Sequence, residues 1–171
     1  MWQTNNMFLN KINKNGFTLI ETLVSLMMIS VALLGVYSAI AKYTQQTKQV
    51  KENYIASLLG QEGVEIVRNF RDTNWLAGAS FSANLPSAAC SGETGGWQAD
   101  YSATSFATAY NGAYLYTDNT TGFYNYTGGT ITPYKRQICV TLDGSILHVA
   151  VVVRWTSHST TIKEDLYDWK W

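Results

Sequence analysis

The sequence predicts an α+β protein in which a long N-terminal α-helix packs on an antiparallel β-sheet. A long apolar segment near the N-terminus continues into an amphipathic segment, as expected for one extended helix. Near the C-terminus, two runs of alternating apolar residues flank a turn signal, as expected for a hairpin. These observations divide the chain into a leader (1–16), an apolar helix half (17–41), an amphipathic helix half (42–72) and a sheet domain (73–171).

The composition is that of a folded protein with little net charge. The chain has 171 residues, of which 46% are hydrophobic and 14% charged, with 12 basic and 12 acidic side chains. This balance argues against a disordered chain and against a strongly basic nucleic-acid binder. Without the leader, which contains Lys11 and Lys14, the remainder is slightly acidic. Nucleic acid is therefore not expected as a partner.

The apolar segment is long enough to span a membrane. Between Glu21 and Lys42 lie 20 uncharged residues, which as a helix would cross about 30 Å of hydrocarbon. Lys11 and Lys14 form a short basic leader that should stay in the cytoplasm. A secretory signal is one alternative, because Ala39-Ile40-Ala41 fits a cleavage pattern, but the apolar part is too long. A plain anchor is another, although Glu21 would cost about 2.5 to 3.5 kcal/mol at the membrane centre.

The stretch "KNG" followed by "FTLIETLVSLMMISVALLGVY" resembles the class III leader and N-terminal helix of type IV pilins and pseudopilins. The resemblance implies that a prepilin peptidase cleaves after Gly16, that Phe17 is then N-methylated, and that Glu21 is needed for assembly. Residues four apart share a helix face, so Glu21 could approach an amine at Phe17. The local alternative is a capping box formed by Thr18 and Glu21, and the two interpretations are compatible.

The same resemblance implies partners and a location. The partners would be prepilin peptidase, other pilin or pseudopilin subunits, an inner-membrane assembly platform and membrane lipid, with no cofactor, metal or small-molecule substrate. The protein would cross the cytoplasmic membrane once, with its globular domain outside the cytoplasm, and then enter a cell-surface or periplasmic filament. Many major pilins have a proline part-way along this helix, where Gly35 is the only weak point here. This favours a minor pilin or a type II secretion pseudopilin.

The amphipathic half predicts a helix that continues to about Arg71. Its apolar positions follow helical spacing, and the stretch "QEGVEIVRNFRDTNW" resembles the end of this helix in PilV-like minor pilins. We expect Gly60 and Gly63 to mark close packing against the sheet. The remaining charged positions are spaced by three, as in ion pairs on a solvated helix face, and catalysis by them is not expected; they are Glu62, Glu65, Arg68 and Arg71.

The region after the helix predicts a long loop and then a tyrosine-rich hairpin. Residues 76–109 lack periodicity and contain Cys90, which could form a disulfide with Cys139 and contribute roughly 4 kcal/mol, or remain a free buried thiol. "AYLYT" and "FYNYT", joined by "DNTTG", predict a hairpin. Its tyrosines could bind a sugar or a partner, but cross-strand aromatic pairs are the more common use.

The clearest strands are "YKRQICVTL" and "SILHVAVVVRW", joined by Asp143-Gly144, a type I′ turn signal. Alternation predicts one apolar face that meets the helix, formed by Ile138, Val140, Leu142, Leu147, Val149, Val151, Val153 and Trp155. The final segment, "TTIKEDLYDWKW", could be a strand or a short helix.

No catalytic pattern is present in the sequence. His148 and His158 lie in no metal or nucleophile motif, and no glycine-rich phosphate loop follows a strand. An enzyme is therefore not expected, and the resemblance to pilins and pseudopilins implies a filament subunit. The alternative is a membrane-anchored or secreted module that binds sugar or DNA through the tyrosine-rich hairpin.

Overall fold

The computed structural model describes residues 16–169 and confirms an α+β fold. One long helix, α1 (Leu19–Leu76), precedes six strands. The contacts within the chain divide it into two units, with the boundary inside α1 between Thr47 and Lys48. The strands are β1 (Tyr116–Thr117), β2 (Tyr124–Asn125), β3 (Thr130–Ile131), β4 (Tyr134–Asp143), β5 (Ile146–Trp155) and β6 (His158–Tyr167).

The first unit consists of the apolar part of α1. Hydroxyl side chains in this part donate hydrogen bonds to backbone carbonyls about one turn earlier, as Ser30 does to Leu26 (2.8 Å) and Ser38 to Gly35 (2.9 Å). These hydroxyl groups therefore need no hydrogen bond to water, so they can lie in an apolar environment. Judged by length and composition, α1 is also the one helix among residues 16–169 that is apolar enough to cross a membrane.

The second half of α1 packs closely on the sheet. A Cβ atom added at Gly60 would lie 2.7 Å from Cγ1 of Ile162, and one at Gly63 would lie 2.7 Å from Cγ1 of Val151. Close packing at both glycines, as expected from the sequence, is confirmed. The helix ends at Leu76, five residues beyond the predicted end, and Gly78 follows with a φ of 70°.

The main sheet is antiparallel, in the order β4-β5-β6, and the final segment of the chain is its third strand. The predicted apolar face is buried from Leu147 to Trp155, and Ile138 and Val140 are buried beside it. Leu142 is the exception, with 46% of its surface exposed. It lies one residue before the end of β4.

The turn between β4 and β5 differs from the predicted one. Asp143 pairs with Ile146, so the two turn residues are Gly144 and Ser145 rather than Asp143 and Gly144. Gly144 has a φ of 57°, and Ser145 does not have a positive φ. A glycine with positive φ at the first turn position is typical of a type II′ turn, so the predicted type I′ turn is wrong.

A disulfide joins the long loop to the sheet. Cys90 and Cys139 are bonded, with their Cα atoms 5.6 Å apart. On either side of this bond, Ala88 forms a bridge with Val140 and Trp97 forms one with Ile138. The loop thus occupies backbone groups of β4 that an edge strand would otherwise leave unpaired.

The tyrosine-rich hairpin is confirmed as β1 and β2, which lie with β3 in a small second sheet. Its rings are not opposite one another, because Tyr116 faces Asn125 and Tyr124 faces Thr117. The expected cross-strand aromatic pairs are therefore wrong for these strands. Just beyond β2, Tyr126 instead donates its hydroxyl hydrogen bond to the carbonyl of Arg136 (3.1 Å).

Only one of the predicted helix-face ion pairs forms. Glu65 pairs with Arg68, which also bonds Glu164 on β6. Glu62 instead pairs with the fully buried Arg136 of β4 (3.0 Å). Arg71 is also buried and lies over the ring of Trp75. The solvated-face prediction is therefore wrong for Glu62, which pairs with a residue of the sheet, and for Arg71, which is buried.

Candidate functional site

The candidate site is the segment from Gly16 to Glu21, where the chain enters α1. Thr18 precedes the helix, and its hydroxyl accepts a hydrogen bond from the backbone N–H of Glu21 (3.3 Å). Its carbonyl accepts the N–H groups of Glu21 (3.1 Å) and Thr22 (3.2 Å). Thr18 is therefore the N-cap residue of α1, as the alternative local interpretation expected.

The carboxylate of Glu21 remains available to a partner. Only the Thr18 half of the capping box is formed, since the Glu21 side chain makes no hydrogen bond or ion pair within residues 16–169. Its position in the first turn is favoured by the helix dipole, an effect of about 0.3 to 1 kcal/mol. Capping thus explains part of its placement and leaves the side chain exposed.

The two residues predicted to flank the cleaved bond lie outside the regular helix. Gly16 and Phe17 precede α1, and Phe17 is 71% exposed. Because α1 begins only at Leu19, Phe17 and Glu21 do not share a helix face in this chain. The predicted leader, including Lys11 and Lys14, lies outside the described residues.

After this segment, α1 exposes apolar side chains around its whole circumference. Exposed fractions range from 49% for Val24 to 78% for Leu19, and the set extends through Tyr43. Within their own unit, neither packing on a sheet nor burial along one face of the helix explains why these residues are apolar. An apolar surface of this kind requires lipid or other protein to cover it.

The remaining predicted residues have structural contacts. His148 donates through Nδ1 to the Oδ1 atom of Asp165 (2.7 Å), on the exposed side of the sheet. Among residues 16–169, no group of three His, Cys, Asp or Glu side chains could hold a metal ion. The pKa of Arg68 is raised, because interactions with Glu164 and Glu65 outweigh the lowering effect of burial.

Sequence reasoning missed the role of Arg136. Its guanidinium donates to the carbonyls of Leu59 (3.1 Å) and Ala99 (2.8 Å), besides its ion pair with Glu62. Strand alternation alone could have found it, because Arg136 lies two residues before Ile138 and therefore on the buried face. A buried arginine requires such partners, which here come from the helix and the loop.

Comparison with known proteins adds one match. A family model described as the prokaryotic N-terminal methylation motif matches residues 11–37. No curated protein and no solved structure matches the chain. The match covers residues 11–16 of the predicted leader, the Gly16–Glu21 segment and most of the exposed apolar helix. With this motif ahead of a long helix and antiparallel sheets, the chain fits the type IV pilin and pseudopilin family.

Proposed function

We propose that this protein is a minor pilin of a type IV pilus or a pseudopilin of a type II secretion filament. In this proposal, prepilin peptidase removes residues 1–16, the new N-terminal Phe17 is methylated, and Glu21 directs assembly. The observation that carries it is the methylation motif on a helix whose apolar half is exposed on all sides.

The local structure around Gly16 supports processing. A peptidase must bind its substrate in an extended form, and Gly16 and Phe17 precede the first turn of α1. Apart from its chain neighbours, no atom of residues 16–169 lies within 4 Å of the ideal Cβ position of Gly16. Cleavage at this peptide bond therefore needs no unfolding of the helix, because the Thr18 cap starts after it.

Glu21 supports assembly through its charge. An unpaired carboxylate near hydrocarbon is unfavourable, and pairing with a positively charged amine reduces that penalty. Cleavage creates such an amine at Phe17, either on the same subunit or on a neighbour. An added helical turn at the new N-terminus would bring Phe17 and Glu21 onto one face. If each Glu21 paired with the N-terminal amine of a neighbouring subunit, this pairing would also fix the axial register between subunits.

The continuous helix favours a minor pilin or pseudopilin within the family. α1 runs from Leu19 to Leu76 and contains no proline, although many major pilins have one part-way along. Gly35 lies within the regular helix and leaves it unbroken. Membrane insertion with the sheet unit outside the cytoplasm is consistent with the Cys90–Cys139 disulfide, which requires an oxidising compartment.

The test is the substitution Glu21→Gln in the full chain, expressed in a host that assembles the filament. This change removes the charge and keeps the side-chain size. We expect normal leader removal, because the cleaved bond lies outside the helix, and at least a tenfold loss of the subunit from sheared or purified filaments. Intact mass and N-terminal sequencing measure processing, and immunoblotting of filament fractions measures assembly.

The matched control is Glu65→Gln in the same helix. Glu65 pairs with Arg68 on the surface of the second unit, so its loss should change neither cleavage nor incorporation. Equal incorporation of the Glu21→Gln variant and the wild type would refute the assembly role of Glu21. A mature chain that begins anywhere other than at a methylated Phe17 would refute the processing proposal.

A further inference from the structure

A cleft of about 430 Å³ lies where β4 begins and β5 ends, far along the chain from the methylation motif. Its volume falls within the usual range for small-ligand sites. The lining residues that matter for binding are two cations, Lys135 and Arg154, one carboxylate, Glu93, the aromatic Tyr114 and the apolar Ile131.

The two cations of the cleft are directly opposite each other in the sheet. Lys135 on β4 and Arg154 on β5 are register partners. Like charges in this position destabilise a sheet. Within residues 16–169, neither cation forms a salt bridge, although Glu93 lines the same cleft. An anion placed between Lys135 and Arg154 would relieve this repulsion.

Both cations are held in position by contacts with neighbouring groups. Lys135 places its Nζ atom 4.6 Å from the centre of the Tyr114 ring. Arg154 donates through Nη1 to Gln137 (2.7 Å) and through Nη2 to the carbonyl of Gly92. A guanidinium has more N–H groups than these two bonds use, so Arg154 retains donors for an anion.

Gln137, which accepts a hydrogen bond from Arg154, is itself held in place by hydrogen bonds. Gln137 is fully buried, and its Nε2 donates to the carbonyls of Thr94 (2.9 Å) and Gly95 (2.8 Å). These residues follow Cys90, so the disulfide with Cys139 attaches this wall of the cleft to β4. A charged group held in this way loses little conformational freedom when a ligand binds.

The turn beside the cleft contains an unusual backbone conformation. Thr156 has a φ of 49°, which is rare for a β-branched residue. The equivalent first position of the β4–β5 turn is Gly144, which adopts such angles without strain. Thr156 thus adds a second unfavourable feature at the cleft, and strain of this kind is often found at ligand sites.

We propose that this cleft binds the carboxylate group of an acidic sugar, such as a hexuronic acid unit. Arg154 and Lys135 would bind the carboxylate through charge-assisted hydrogen bonds. The half-exposed Tyr114 and the exposed Ile131 offer apolar surface to the sugar ring. Glu93 lines the same cleft and would accept hydrogen bonds from sugar hydroxyls. This site goes beyond filament assembly and does not depend on it.

The test is isothermal titration calorimetry of the full chain in detergent micelles. The probes are digalacturonate, neutral digalactose, a Glu-Glu dipeptide and sodium sulfate. We expect digalacturonate to bind at least tenfold more tightly than each of the others. Lys135→Met and Arg154→Met should each weaken digalacturonate binding about tenfold or more, whereas Glu93→Gln should weaken it less than either.

Lys163→Met is the matched control, because Lys163 lies on the same exposed side of the sheet and outside the cleft. It should bind digalacturonate like the wild type. Thermal unfolding of Lys135→Met provides a separate check, because this variant removes one of two opposed cations and should not lower the melting temperature. Equal or tighter binding of sulfate or the dipeptide would overturn the sugar assignment. No digalacturonate binding, or equal weakening by Lys163→Met, would overturn the site.

Discussion

The two halves of α1 have the same backbone conformation but very different surroundings. Residues from Leu19 to Thr47 expose apolar side chains on all sides, whereas the half from Lys48 to Leu76 buries one side against the sheet. In the first half, the helix is maintained by its own hydrogen bonds, including those of its hydroxyl side chains. In the second half, tertiary contacts add to these, so only that half should respond to changes in the sheet.

Glycine shows the difference within a single helix. Gly35 has nothing within 4 Å of its ideal Cβ position, but Gly63 would place a Cβ 2.7 Å from Val151 and 3.3 Å from Arg136. The intrinsic helix propensity of glycine is the same at both sites. The effect of each glycine on stability must therefore differ between the two sites, because the atoms around them differ.

The largest expected effect comes from loss of the disulfide. Replacing Cys90 and Cys139 by serine removes a crosslink between residues 49 apart in sequence, worth about 4 kcal/mol in the chain-entropy model. We expect the sheet and the second half of α1 to lose protection together in hydrogen exchange measured in micelles. The first half belongs to the other unit, so we expect it to keep its exchange rates.

Chemical reduction of the wild-type protein is the control for the disulfide variant. It should give the same pattern of exchange, because it breaks the same bond. If the first half of α1 lost protection as well, the two halves would be one cooperative unit, and the comparison above would fail.

A smaller effect is expected from paired alanine substitutions. Gly63→Ala should lower the free energy of unfolding by about 1 to 3 kcal/mol, because its methyl group overlaps Val151. Gly35→Ala should stabilise the first half by up to about 1 kcal/mol through helix propensity alone. Denaturant unfolding of the sheet and exchange rates of the first half measure the two effects. Equal changes in stability at both positions would contradict the conclusion that the two glycines have different surroundings.

The smallest effect concerns alkaline pH. Burial raises the pKa of Tyr126 to about 12, and its hydroxyl bonds the carbonyl of Arg136. A tyrosine whose folded pKa is raised stabilises the fold fully below pH of about 10, and this contribution is lost as pH rises toward 12. Between pH of about 10 and 12, we expect the free energy of unfolding to fall less in Tyr126→Phe than in the wild type. The difference should be at most about 2 to 3 kcal/mol.

The matched control for alkaline pH is Tyr43→Phe, because Tyr43 is 72% exposed in the first half of α1. Thermal unfolding across the pH series should show the same alkaline decline in this variant as in the wild type. A decline that is unchanged in Tyr126→Phe would show that the buried hydroxyl does not control it.

Much of the architecture follows from local patterns. The alternation from Leu147 to Trp155 placed five side chains on the buried face, and Gly60 and Gly63 correctly marked a close approach. The predictions that were wrong concerned pairing between different elements and the exact position of a turn. Glu62 met Arg136 rather than a helix neighbour, and the β4–β5 turn shifted by one residue to place Gly144 first.

The sequence by itself determined the methylation motif, the long helix and the alternating strands, because helix and strand periods are set by backbone geometry over a few residues. Only the tertiary structure decided that Arg136 bonds the carbonyls of Leu59 and Ala99, and that Lys135 lies opposite Arg154. Those contacts depend on strand register and on where α1 packs on the sheet. They join residues far apart in the chain, so no local spacing specifies them.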